Sequence, residues 1–157
     1  MTRSILADAF EHHVWATGRL LDACLALTPE QLATSVPGTY GSIVDTARHI
    51  VSTDASFLAM LTGERVPRLD ADGLDLAALR AEVAKHGPVW ASILAGDPDP
   101  DTDVVRRRPD GSEAHMPLSI RLAQAINHGT DHRSQICTAI TSLGIEPPSI
   151  DVASSHR

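Results

Sequence analysis

Lysine is almost absent from this chain: one residue, Lys85, stands against twelve arginines. Positive charge is scarce altogether, since 13 basic residues face 20 acidic ones, for a formal net charge of −7. That balance argues against nucleic acid or an anionic membrane surface as partner. The only basic run, Arg106-Arg107-Arg108, leads straight into Pro109-Asp110-Gly111 and reads as a solvated hairpin edge rather than a phosphate site. Long apolar runs are missing too, and none approaches the roughly 20 residues that a membrane-spanning helix needs. The N-terminal stretch MTRSILADAFEHHVW meets polar and acidic residues at once and lacks the apolar core of a signal peptide. A cytoplasmic protein is expected. Cysteine is limited to Cys24 and Cys137, both within segments of helical periodicity. A disulfide between them is possible in principle, but reduced core thiols are the expected state in that compartment. Arginine in place of lysine, with abundant Ala, Asp and Val, suggests a GC-rich bacterial genome and carries no chemistry.

What is present suits one globular domain over residues 1–157. Hydrophobic content of 43% with 21% charged residues is ordinary for a folded soluble chain, and the length fills a single core. The first helix is expected from Thr2 to Leu27, with Leu6, Phe10, His13, Val14, Thr17, Leu20, Leu21 and Cys24 on one stripe. Thr28-Pro29-Glu30 reads as a cap with proline opening a short new turn. Ser42 is the expected N-cap of a second long helix to Leu61, with Asp45 three places on. A third runs from Leu74 to Ala95 with Gly87-Pro88 kinking its middle. The pieces DVVRR and EAHMP around Pro109-Asp110-Gly111 predict a β-hairpin. A last helix follows from Leu118 to Leu143, stopped by Gly144, and the tail SIDVASSHR is expected to be extended or frayed. The fold class is therefore all-α, a four-helix bundle with a small β-hairpin inserted before the last helix.

Eight histidines carry the candidate chemistry. His128 and His132 stand four apart on the last helix, one turn above each other on one face, where both imidazoles reach a single cation. Gly129 between them removes bulk beside them. His49 lies off the apolar stripe of the second helix, on a face of Ser42, Asp45, Thr46, Ser52, Thr53 and Ser56. Solvent-facing helix surfaces carry long charged side chains, so this face suits the lining of a polar cavity. His13 falls on an apolar stripe and reads as a packed histidine, with a supporting contact to the site as the alternative. His115, on the second strand, reads as a solvated edge residue that can also overhang the site. His86 and His156 give no reason to be singled out. Trp15 falls opposite the stripe of the first helix and is expected at a homodimer interface. Asp54 and Arg133 fall within the apolar stripes of their helices. Buried charges are normally paired, and a direct Asp54–Arg133 bridge is expected, with snorkelling to solvent or other partners for both as the alternative.

Four stretches together resemble the DinB superfamily, the YfiT-like metal-binding four-helix proteins. They are FEHHVWATGRLLDACLAL, GSIVDTARHIVSTDASFLAMLTGE, the Asp-Gly hairpin, and INHGTDHRSQICTAITSLGIEPPSID with its NHxxxHRxQ signature. Ser134 stands where the usual pattern has a small glycine after the arginine. The resemblance implies a divalent metal, zinc or nickel, held by His49, His128 and His132. It further implies a metal-dependent enzyme activating a low-molecular-weight thiol of the mycothiol, bacillithiol or glutathione type, as an S-transferase or isomerase acting on a small-molecule substrate. The alternatives are a metal-dependent hydrolase using metal-bound water, or a non-catalytic metal-binding stress-response or interaction protein. What separates them is whether His13 or His115 closes the coordination sphere or leaves a position open.

Overall fold

Three of the four long helices begin at a polar cap that the local sequence supplies. Ser4, Ser42 and Asp75 accept hydrogen bonds from the N–H groups of Ala7, Asp45 and Ala78, opening α1 (Ile5–Cys24), α3 (Ile43–Leu61) and α4 (Leu76–Leu94). Between α1 and α3, Thr28 and Gln31 form a reciprocal capping box around the one-turn α2 (Pro29–Leu32), with proline at its start. The computed structural model describes residues 4–156, for His156 the backbone alone. Thr2 and Arg3, at the start of the expected first helix, lie outside the described residues. The helix α4 continues through Gly87 and Pro88 without a break.

Strand β1 (Asp103–Arg107) pairs antiparallel with β2 (Glu113–Pro117), Arg106 facing Ala114 and Val104 facing Met116. Pro117 leads directly into α5 (Leu118–Ser142), and Gly144, at φ 73°, takes the left-handed position that ends it. The chain after Gly144 is not frayed. His12 Nε2 donates to the Ile150 carbonyl at 2.9 Å and Arg19 Nε to the Ser149 carbonyl at 2.8 Å, so this segment lies along α1 before a closing 3-10 turn, Val152–His156. Two backbone carbonyls, rather than a helical stripe of side chains, tie the tail to α1.

The four long helices pack in the cyclic order α1, α4, α3, α5, an all-α bundle with the hairpin beside α5. Its core has two apolar parts. One gathers Leu20, Ile43, Ile50, Leu79, Ile136 and Ile140 among others; the second gathers Phe10, Phe57, Leu58, Trp90 and Leu122. On each long helix a buried polar residue stands between those two sets: His13 and Thr17 on α1, Asp54 on α3, His86 on α4, Arg133 on α5. All five are buried. Cys24 and Cys137 are free thiols packed in or against the first part. Burial, with Cys137 nearby, pushes the Cys24 thiol up to about 12, so it stays protonated and inert. Among the described residues no helix is long and apolar enough to cross a membrane.

The buried polar layer corrects two expectations. Asp54 and Arg133 do not bridge directly. His13 Nε2 donates to Asp54 Oδ1 at 3.0 Å, and Arg133 Nη1 donates to His13 Nδ1 at 3.2 Å, so the imidazole stands between the two charges. Asp54 is completed by His86 Nδ1 at 2.6 Å and Trp90 Nε1 at 3.2 Å, and Arg133 by Thr17 and Thr130 hydroxyls, each at 3.1 Å. Burial alone would push the Asp54 carboxyl up; the hydrogen bonds from His13 and His86 outweigh it and hold that carboxyl well below the usual carboxylate range. His86, which gave no reason to be singled out, is thus a buried partner of Asp54. Gly129 also has a different purpose. A Cβ there would lie 2.5 Å from His13 Cε1 and 2.8 Å from Arg133 Nη1. The missing side chain makes room for this network, not for the neighbouring histidines.

Candidate metal centre

The polar face of α3 does line space. His49, Tyr40, Asp45, Arg48 and Ser52 border a cleft of about 510 Å³, and Thr53, Ser56 and His128 border a second cavity of about 190 Å³. Two residues of that face border neither space: Ser42, the N-cap, and Thr46, buried at 1% exposure with the core.

Between these spaces the structure brings His49 from α3 together with His128 and His132 from α5. One ring nitrogen from each lies within 4.8 Å of the others. The His49 and His128 Nε2 atoms are 2.9 Å apart, and the three ring centroids are 4.5 to 4.8 Å apart with steep interplanar angles of 61–89°. Ligand nitrogens around a shared ion at 2.0–2.1 Å are separated by about 3.0 Å at right angles and about 3.3 Å in a tetrahedron. The His49–His128 spacing matches two ligands of one ion, and the group of three could hold a metal ion once the rings close around it. All three residues are half-buried.

The local electrostatics favour neutral rings. Burial, with His132 beside it, lowers the His49 pKa. Burial followed by His132 and His49 takes His128 down to about 4. Neutral imidazole is the ligating form, and burial favours it for His49 and His128.

Two supports of these rings were not singled out from the sequence. Gln135 Oε1 accepts from His132 Nδ1 at 3.0 Å and from the Tyr40 N–H at 2.9 Å. This fixes the His132 tautomer and leaves Nε2 for the centre. Gln135 is itself held by Asp131, to which its Nε2 donates at 3.2 Å. The Tyr40 ring stacks on His49 at 4.0 Å and 10°, and meets His132 edge-on at 5.4 Å. Gln135 belongs to the NHxxxHRxQ signature and stands three residues after His132, so a search for the ring's outer partner would have reached it. Tyr40 lies in a loop without periodicity, and nothing in the sequence places it over an imidazole.

The other histidines are engaged elsewhere. His13 and His86 belong to the buried Asp54 network. His115 is exposed and bonded to Asp103 at 2.6 Å, with Glu113 3.5 Å away. Neither His13 nor His115 belongs to the three-histidine group. A family model described as the DinB family matches residues 1–157, the whole chain. No curated protein matches it.

Proposed function

The chain belongs to the DinB family, and from that premise we propose a metal-dependent enzyme that activates a low-molecular-weight thiol for transfer or isomerisation. The observation that carries this reading is the convergence of three half-buried imidazoles, two of them shifted toward neutrality, between two open spaces. His49, His128 and His132 would be the ligands, with zinc or nickel as the ion. A divalent ion held by three histidines supplies Lewis acidity, lowering the pKa of a thiol or water at its remaining position.

The chain's own residues do the positioning. Gln135 keeps the His132 Nε2 lone pair turned inward, and Tyr40 braces His49 from the cleft side. The cleft and the smaller cavity give a substrate two directions of approach. Because His13 and His115 are committed to carboxylates, they support an open coordination position rather than a closed structural site. That weighs for turnover over a purely metal-storing or interaction role. Hydrolysis is the second reading for the same ligands. A cytoplasmic setting and a homodimer through α1 are part of the proposal. Trp15, half-buried beside His12 and under the Arg19 guanidinium at 5.6 Å, would lie at that interface. Sedimentation of the wild type and of Trp15→Glu tests the dimer, and a wild-type monomer would remove it.

The functional test is metal analysis of the purified chain followed by a conjugation screen with mycothiol, bacillithiol and glutathione against small electrophiles. Stoichiometric metal with turnover of one thiol is expected. Metal-loaded protein that turns over no thiol but hydrolyses small amides or esters would replace this reading with the second.

A further inference from the structure

One cavity next to the histidines has an unusual charge for so acidic a protein. The space of about 190 Å³ that reaches His128 is bordered by Arg68, Arg106 and Arg121, and no carboxylate lines it. Arg121 is 4% exposed. Its Nη2 donates to the Ala114 carbonyl at 3.3 Å and its Nη1 to Gln124 at 3.4 Å, both long. Its Nε has no partner at all; among the described residues it is the only buried side-chain nitrogen or oxygen in that condition. Leaving a buried charged donor unpaired is costly, and such groups call for an explanation.

The hairpin sharpens the picture. Side chains alternate along a strand, so Arg106 shares the inward face of β1 with the buried Val104, whereas Arg107 is directed outward and pairs with Glu113 at 3.0 Å. The Arg106 guanidinium makes no ion pair or hydrogen bond with another described residue. The three-arginine run therefore splits: two members form the solvated edge expected of them, and Arg106 faces the cavity beside Arg121. Two guanidinium groups facing one small space repel each other unless an anion sits between them.

We infer that this cavity binds the carboxylate of a small acidic substrate. A carboxylate offers the two coplanar acceptors that a guanidinium edge matches, one of them for the unpartnered Arg121 Nε. Arg121 lies seven residues before His128 on α5, about 10 Å along the helix. The acid group would thus be held about two helical turns from the reacting end. That this anion belongs to the substrate rests on the proposed metal centre; the anion site itself does not.

The test titrates the full chain with succinate and, separately, with inorganic phosphate, without added metal and again with zinc. The arginine Nε–H signals are followed by NMR. Succinate should shift the Arg121 signal saturably. Its affinity should fall about five- to tenfold in Arg106→Gln and stay near wild type in Arg107→Gln, the outward neighbour. Arg121→Lys, which keeps charge but loses the fork, should weaken succinate at least about tenfold. The exposed Arg106 keeps the test decisive if Arg121→Lys does not fold. Saturation by phosphate alone, no saturation by either anion, or equal losses in Arg106→Gln and Arg107→Gln would overturn the carboxylate site. Succinate binding in a chain that retains no zinc would uphold the anion site and remove the metal reading.

Discussion

Two clusters of histidine meet α3 and α5, one reaching in from α1 and α4 and one carried by α3 and α5 themselves, and they are built on opposite rules. In the inner one, His13 and His86 each give a ring N–H to the same buried carboxylate, Asp54, and Arg133 closes the set. In the outer one, His49, His128 and His132 face each other with no carboxylate among them. Imidazole bonded to a fixed anion is spent on structure. Imidazoles turned toward one another, with burial disfavouring protonation of His49 and His128, are free to take a cation. Residue type alone does not distinguish the two; the partner of the second nitrogen does.

The largest effect expected from this contrast is on stability. Asp54→Ala should cost about 3–5 kcal/mol, because it leaves His13, His86 and Trp90 donors unmatched in the core. His128→Ala, measured without metal, should move the denaturant midpoint little. Equal midpoints would erase the distinction. A double-mutant cycle should show strong coupling of Asp54 with His13 and weaker coupling of Asp54 with Arg133, since the imidazole intervenes.

Acid sharpens the same point. The Asp54 carboxyl is held below its ordinary range in the folded chain, so its contribution is complete above the unfolded value of about 4 and is lost as pH falls through the folded one. Asp54→Asn should flatten that acid limb of the stability profile; an unchanged limb would show that other carboxylates set it.

Metal retention ranks next. His132→Ala should lose the ion on gel filtration, and Gln135→Ala should weaken it by about 10- to 100-fold, the range for removing a ligand's outer partner. Gly129→Ala belongs to the inner cluster instead. Its Cβ would strike His13 and Arg133, costing about 1–3 kcal/mol while the metal stays. Metal loss without destabilisation would reverse that assignment.

The smallest effect concerns His115. Its hydrogen bond to Asp103, then the charges of Asp103 and Glu113, raise its pKa. The interaction is present below the ordinary histidine value and fades as pH rises through the raised one. An NMR titration should place its midpoint above the ordinary value, and His115→Ala should leave metal content unchanged.

Much of the architecture was legible in short stretches of sequence. Helix starts at Ser42 and Thr28, the strands DVVRR and EAHMP, and the stop at Gly144 depend on residues within a turn of one another, and they appear where expected. The pair His128 and His132 is local in the same sense. His86 was also within reach, because Val83, His86 and Trp90 share one helical face and all are buried. The pairing of charges was not. Asp54 and Arg133 were recognisable as buried, but which neighbour each meets depends on how four helices rotate and slide against one another. The same holds for Tyr40 over His49 and for Arg106 turned toward Arg121. Sequence determined which residues lie on which face, because that follows from the repeat of one helix or strand. Only the tertiary structure decided which faces meet, and at what height, and so separated the histidines that hold the bundle together from those left open to a metal.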